Sequence, residues 1–320
     1  SRGLGDVYKR QMQNLSVIIL TYNEEKHIAR CIDNVKRIAK QIYVVDSYST
    51  DSTCDIAREH GAIVLQNKYV NQAQQFIWAM ENCPIKTEWT MRLDADEYLT
   101  DELIVELKGK LSLLPIDVTG CMLPLMVKFL GRPLKYGKIR KIQILRLWRT
   151  GKAMMEQRWM DERCYVIEGK VVAMNNYFID ENLNGIHAWT QKHNNYANRE
   201  IVAAYEGYWN DTVSGGNGLE TRNKEKGKYY KLPKFLRAFI YFFVRYICFG
   251  GFLDGKPGFI WATLQAYWYR YLIDAKIEEM EYYIGKNPTP KEMRMYFKER
   301  FNINAVSYTH LRAHETLMNL

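Results

Sequence analysis

Three short apolar runs shape the first hundred residues, and each stops abruptly at a polar cluster. "LSVIIL" (15–20) ends at "TYNEE", "QIYVVD" (41–46) at "SYSTDST", and "WTMRL" (89–93) at "DADEY". Continuous, β-branched runs of this length suit strands of a parallel sheet covered on both faces. Between the first two, Ile28, Cys31, Ile32, Val35 and Ile38 recur at helical spacing. Asn23 is the expected N-cap of that helix, with Glu24 and Glu25 at the positive end of its dipole. A helix through "CDIAREH" closed by Gly61, a strand "AIVLQ" and a helical stretch "NQAQQFIWAMEN" continue the alternation. Such alternation implies an open α/β sheet, whose ligands bind outside the carboxyl ends of the strands. Thr21 to Glu24, Asp46 to Ser49 and Asp94 to Glu97 all lie just past such ends, so one crevice is expected to hold them.

Asp94, Asp96 and Glu97 follow directly on a buried strand, where charge is costly. A D-x-D pair at a strand end sets two hard oxygen ligands on one side of the chain. That suits Mg²⁺ or Mn²⁺, which binds through one or two carboxylates plus substrate phosphates. Arg92 is placed to offset charge or touch phosphate. The plainer reading makes the acids caps of the helix "TDELIVELKGKL"; Glu97 suits that role best, with Thr100 as N-cap.

The net charge of +9 and pI near 9.0 point to an anionic partner: nucleotide phosphates, nucleic acid or an acidic membrane face. At 320 residues and 47% hydrophobic content the chain can bury one large domain, alone or with an appendage. The six cysteines form no C-x-x-C pair, which suggests neither a zinc site nor a disulfide framework and fits a reducing, cytoplasmic setting. The residues before Met12 contain no apolar h-region. Together with the terminal "AVSYTHLRAHET" they resemble translated sequencing-adapter read-through, so the native start is expected at Met12, with 1–11 and 305–320 as foreign flanks.

In their order and spacing, "SVIILTYNEE", "VVDSYSTDST", "NQAQQFIWAM" and "RLDADEYL" resemble the nucleotide-binding half of a family 2 glycosyltransferase with the GT-A fold. The resemblance continues through "WMDERCYVIEGK", "IDENLNGIHAWTQKHNNYANRE" and "GFLDGKPGFIWATLQAYWYRYLIDAKIEE", and is to the branch that builds lipopolysaccharide cores and exopolysaccharides. It implies a Rossmann-like nucleotide-diphospho-sugar transferase domain over 12–215, divided near 100 into donor and acceptor halves; the basic, aromatic residues 216–304 read separately as a helical, membrane-associating extension. It also implies that Thr21, Tyr22 and Glu24 line the base and ribose of the donor, with Asp46 the acid of the second strand. Ser47 stands where many relatives carry a second Asp that contacts uracil. Gln75 lies in the donor pocket, while Phe76 and Ile77 replace an Arg-Asn pair of many relatives. Asp94 would face ribose and metal, and Asp96 would hold the divalent cation against the diphosphate. "RWMDER" supplies Asp161, then Glu162, where the family carries the base that takes the acceptor's proton. Glu168 is a third candidate; a loop pair bridged to Arg158 or Arg163 is the plain alternative.

"KIRKIQILRLWR" alternates basic and apolar residues like a strand with one solvated face, whose Arg146 and Arg149 either bind a diphosphate or face water. His187 and His193 lack the spacing of a helical metal pair; His193, Asn194 and Arg199 are candidates to touch substrate. Past the expected hinge "SGGNG" the chain turns basic and aromatic. "AFIYFFVRYICFGGFL", interrupted by Arg245, is too short to span a bilayer and reads as a helix lying in the interface, with "FIWATLQAYWYRYLIDA" as a second. Packing against the catalytic domain is the alternative for both. A nucleotidyltransferase would show a Gly-rich, Arg/Lys-containing loop after the first strand, and "TYNEEKH" is none; a nucleic-acid binder would show a recognised motif. A non-catalytic family member sits poorly with the intact acids. The expected function is therefore metal-dependent, inverting transfer from a nucleotide-sugar, with a UDP-sugar the expected donor, to a glycolipid, polyprenyl-linked or lipopolysaccharide-core acceptor. The expected place is the inner face of the cell membrane.

Overall fold

The three apolar runs lie side by side in a computed structural model that describes residues 13–139, 142–156, 162–205 and 228–303. In chain order its strands are β1 (Leu15–Thr21), β2 (Gln41–Asp46), β3 (Ile63–Gln66), β4 (Trp89–Asp94), β5 (Glu97–Leu99) and β6 (Val118–Phe129). They continue with β7 (Arg132–Pro133), β8 (Gln143–Arg149), β9 (Ala153–Met155), β10 (Cys164–Val166), β11 (Lys170–Ala173) and β12 (Phe178–Asp180). The helices are α1 (Ile28–Val35), α2 (Thr53–Glu59), α3 (Gln72–Asn82), α4 (Asp101–Lys110) and α5 (Gly185–Tyr205). Beyond them lie α6 (Leu236–Phe243), α7 (Gly255–Trp261), α8 (Tyr269–Ile284) and α9 (Pro290–Phe301).

One sheet runs in the order β3-β2-β1-β4-β8-β6-β12-β5, with β7 and β11 also paired to β6. Its first four strands are parallel. β1 is buried along its whole length because both faces are covered. Val17 and Ile19 pack with Ile28 and Ile32 of α1 and Leu103 of α4. Ile18 and Leu20 pack with Phe76 and Ala79 of α3. The register sets Thr21 beside Asp46 and Leu20 beside Asp94, which brings the polar strand ends to one edge as the sequence implied.

Two expectations need correction. Asn23 does not cap α1, which begins at Ile28 with His27 as its N-cap. Asn23 has φ +54, a left-handed conformation that Asn adopts more readily than most residues, and there its side chain accepts the Thr50 N–H at 2.8 Å while its own N–H donates to Ser49 Oγ at 2.8 Å. The residue is used to join the β1 and β2 turns. The basic strand β8 has no solvated face either. It is inserted antiparallel between β4 and β6, and Arg146 and Arg149 are both buried. Arg149 pairs with Glu88 and donates to Val118 O, at the edge of the sheet opposite Asp94.

The hinge "SGGNG" and the boundary near 215 lie outside the described residues. Beyond them α6 is prolonged by a π-helical turn, Val244–Cys248, and α7 runs through a second π-helical stretch, Ala262–Trp268, into α8. The two arms, Leu236–Cys248 and Gly251–Ile284, meet at 69°. Among the described residues no single helix is long and apolar enough to cross a membrane; this bent pair alone has the length and composition to do so. Ala197 and Ile201 of α5 pack with Tyr269, Ile273 and Ile277 of α8 and Phe297 of α9, so one side of the extension is joined to the helix that follows the sheet. The buried pair Arg237–Asp274 pins α6 to α8, with Asp274 also accepting the Phe235 N–H at 2.7 Å and Arg237 donating to Tyr230 O at 3.0 Å.

Removing one partner of such a pair strands the other charge. Asp274→Ala is expected to lower stability by ~3–5 kcal/mol, read as a fall in the urea midpoint, whereas Arg237→Met with Asp274→Leu restores most of the loss. An equal loss in both variants would show that packing, not charge compensation, holds the two helices.

Candidate active site

The β1 and β2 ends are locked together by Asp46, whose carboxylate is fully buried. It accepts from Thr21 Oγ1 at 2.9 Å, the Ser49 N–H at 2.8 Å and Gln66 Nε2 at 3.3 Å, and also from the Ser49 hydroxyl. Burial alone would raise its pKa, but these donors hold it below the ordinary value. Asp46 and Thr21 thus shape the crevice wall from within and leave Tyr22, 58% exposed, to face outward. Gln75 plays a similar supporting part: it is buried, bonded to Asn67, and donates to Ser47 Oγ at 3.1 Å. Glu24 is positioned by His27, whose Nδ1 lies 2.6 Å from its carboxylate. Because His27 Nε2 accepts the Leu183 N–H at 2.8 Å, the ring proton belongs on Nδ1 and is donated to Glu24.

β4 delivers Asp94 to the same edge with its side chain 33% exposed. Arg92 Nη2 stands 3.2 Å from one carboxylate oxygen and Arg146 Nη2 3.3 Å from the other, with Gln72 Nε2 at 3.5 Å. Burial would raise this carboxyl, yet the two guanidiniums hold it well below the usual carboxylate range. Glu97 is buried, accepts the Asp94 N–H at 2.9 Å and shares Arg146. Burial pushes its pKa up, Arg146 opposing and Asp94 adding to the rise, so Asp94 is the carboxylate of the two that carries charge. Thr100 caps α4 by accepting the Leu103 N–H at 3.2 Å, which leaves Glu97 as an internal strut and not a helix cap.

Asp96 is half-exposed, and one of its carboxylate oxygens accepts from Asn182 Nδ2 at 3.0 Å. Its carbonyl and that of Glu181 are both gripped by Arg30, at 3.2 and 2.7 Å. Asp180, opposite Glu97 in the β5–β12 pair, is pushed up to about 7 by burial and then by the charge of Asp96, against the pull of Lys192. Burial lowers the pKa of Lys192 on α5, but Tyr196, Asp96, Glu24 and Asp180 more than reverse this. Sequence reading missed His27, Asp180 and Lys192. Only Asp180 carried a usable signal, as an acid at the end of the short run "YFID".

Of the proposed base pair, Asp161 and its neighbour Arg158 lie outside the described residues. Glu162 is described, and its charge raises the pKa values of Arg92 and Tyr69, which places it on the crevice side. Glu168 pairs with Lys152 at an exposed turn whose carbonyl accepts from Thr119 at the start of β6, toward the opposite edge. Arg199 donates to Tyr69 at 3.0 Å, so α5 reaches over to the segment before α3. His193 instead stacks on Trp189 at 3.5 Å and bonds its carbonyl, and burial lowers its pKa to about 4. Among the described residues no three His, Cys, Asp or Glu side chains converge as a complete metal cage. The two half-exposed acids Asp94 and Asp96 fit the donor set of a Mg²⁺ or Mn²⁺ site that substrate phosphates complete.

An open α/β sheet with D-x-D at the end of its fourth strand, continued into a mixed sheet by β8, β6 and β12, is a GT-A-like architecture. Residues 16–148 match the profile described as Glycosyl transferase family 2. An uncharacterized glycosyltransferase of Rickettsia typhi is 39% identical over 97 residues, 30% of this chain and 32% of that protein. The lipopolysaccharide core biosynthesis glycosyltransferase LpsC of Rhizobium meliloti is 28% identical over 162 residues, 49% of this chain and 58% of that one. The chain thus spans about a third of the length of the first relative. Among solved structures, glucosyl-3-phosphoglycerate synthase from Mycobacterium tuberculosis in complex with Mn²⁺, UDP and glucosyl-3-phosphoglycerate aligns with TM-score 0.31 and 20% identity, covering 40% of this chain and 48% of that one.

Asp180 gives the site a pH signature. Folded, it keeps its proton to about pH 7; unfolded, it releases it near 3.8, so the folded state holds the extra proton between these values and loses stability as pH rises through them. Asp180→Asn is expected to raise Tm by roughly a few degrees at pH 8 and to leave it nearly unchanged at pH 4. Thermal melts of both proteins at both pH values check this; an identical shift at the two pH values would reject it.

Proposed function

We propose that this chain is a metal-dependent, inverting glycosyltransferase that moves a sugar from a nucleotide-sugar to a lipid-linked or lipopolysaccharide-core acceptor at the inner face of the cell membrane. The observation that carries this reading is the register that sets Thr21, Asp46 and Asp94 at one sheet edge within the family-matched segment. Tyr22, Glu24 and Ser47 contact the nucleoside, on turns fixed by Asp46, His27 and Gln75. Asp94 and Asp96 hold a divalent cation, which when bound neutralises the charge of the departing diphosphate. Arg92 and Arg146 keep Asp94 ionised for that role.

A carboxylate of the Asp161–Glu162 pair takes the proton of the acceptor hydroxyl. That oxygen bonds to the anomeric carbon from the face opposite the diphosphate as the carbon–oxygen bond to the diphosphate breaks. The nucleoside diphosphate leaves with the bonding electrons, and in-line attack inverts the anomeric centre. Glu162 is supported by its closeness to Arg92 and Tyr69. The acceptor class is supported by the name of the Rhizobium relative and by the exposed aromatic residues of α6 and α7, among them Phe239, Phe243 and Phe259.

Incubation with Mn²⁺ and a panel of UDP-, GDP- and dTDP-sugars is expected to release nucleoside diphosphate from one of them. Asp96→Ala should lower the rate by at least ~100-fold, and whichever of Asp161→Asn and Glu162→Gln removes the base should lower it ~10²–10⁴-fold. Absence of turnover with every donor, together with unchanged nucleotide binding in Asp96→Ala, would overturn the proposal.

A further inference from the structure

The loop tip Leu130–Lys138 of the catalytic domain is fastened to the bend between α6 and α7. The N–H groups of Lys135 and Tyr136 both donate to the Asp254 carboxylate, at 3.0 Å, though the two residues are 119 and 118 positions from it in the chain. The Gly137 N–H donates to Phe249 O at 3.0 Å, and the Lys138 ammonium stands 4.4 Å from the centre of the Phe249 ring. The approach is close enough to need glycine. Gly137 has φ +66, and a Cβ there would sit 3.3 Å from the Arg245 carbonyl; one on Gly251 would sit 3.0 Å from it. The two segments form a single built feature.

Its outer surface is apolar. Leu130, Ile247, Phe249, Phe252 and Leu253 are all exposed, Leu253 to 58%. Around them stand Arg132, Lys135, Lys138 and Lys256, also exposed. Residues 130–138 contain no acid, and 244–261 contain only Asp254, whose carboxylate is turned inward onto backbone N–H groups. A nucleic acid would match the cations but leave the Leu, Ile and Phe side chains without partners. Headgroups that are negative above an acyl region match both.

We propose that this composite of loop tip and helix bend is a docking surface for an anionic lipid bilayer. The catalytic domain thereby contributes cations of its own to the membrane contact, and the bend at Gly250 and Gly251 is the part that enters the headgroup layer. The proposal deepens the membrane reading given above and rests on it. The test is co-sedimentation of the full chain with vesicles, without donor or acceptor, so failure of the transferase reading leaves the result intact. Binding to phosphatidylglycerol-containing vesicles is expected, with much weaker binding to pure phosphatidylcholine. Lys135→Glu with Lys138→Glu is expected to weaken anionic binding at least ~30-fold, from about 1 kcal/mol for each basic residue lost at the surface. Phe252→Ser with Leu253→Ser should weaken it as well, and neither pair should change donor hydrolysis in solution. Unchanged vesicle binding in the lysine pair, with an unchanged melting curve, would overturn the proposal. So would a dimer in sedimentation velocity that the Phe252/Leu253 pair dissociates with no effect on vesicles, which would assign the surface to a second copy.

Discussion

The site depends on one guanidinium. Arg146 arrives from β8, beside β4, and is shared between Asp94, at the end of a strand whose other residues are buried, and Glu97 at the start of β5. Two acids three residues apart in a largely dry position would otherwise repel each other and drive both carboxyls toward neutrality. With Arg92 on the other side of Asp94, the charge settles on the more exposed carboxylate and leaves the buried one protonation-prone. A strand that reads in the sequence as having one solvated face is a buried source of counter-charge for Asp94 and Glu97.

Much of the parallel part of the sheet was legible because burial on both faces writes an apolar run. β1 and β2 could be placed from that alone and β4 in spite of Thr90 and Arg92 within it; their parallel order followed from the intervening helices, and the polar ends then had to meet at one edge. Thr100 was legible as a cap for a similar reason, since capping is local. The misreadings share a physical cause: the partner is far away in the chain. Arg146 and Arg149 look solvated until Glu97 and Glu88, 49 and 61 positions earlier, are seen beside them. Asn23 looks like a cap until Thr50 claims its side chain, and His27 looks incidental until Leu183 donates to it. Asp180 and Lys192 belong to the crevice only because β12 and α5 return to it.

The same long-range returns divide the residues into those that would meet a substrate and those that hold them. Asp46, Gln75 and His27 are buried and spent on neighbours, while Tyr22, Ser47, Glu24, Asp94 and Asp96 keep some exposure. The crevice is therefore stiff from behind and open in front. One end of α5 follows the loop bonded to His27 while its far turns pack against α8. Crevice and helical extension share one helix.

The insertion of β8 also has a consequence for how the chain acquires this structure. Residues up to about 110 contain the four parallel strands β3, β2, β1 and β4, yet β4 remains an edge until β8 has been added some fifty residues later. Until then a row of backbone groups on β4 is unpaired, and Asp94 and Glu97 lack Arg146. The first half emerging from a ribosome is thus an incomplete sheet in which Arg92 is left as the guanidinium beside Asp94. Closing it takes a non-local antiparallel pairing, the kind of contact that slows folding.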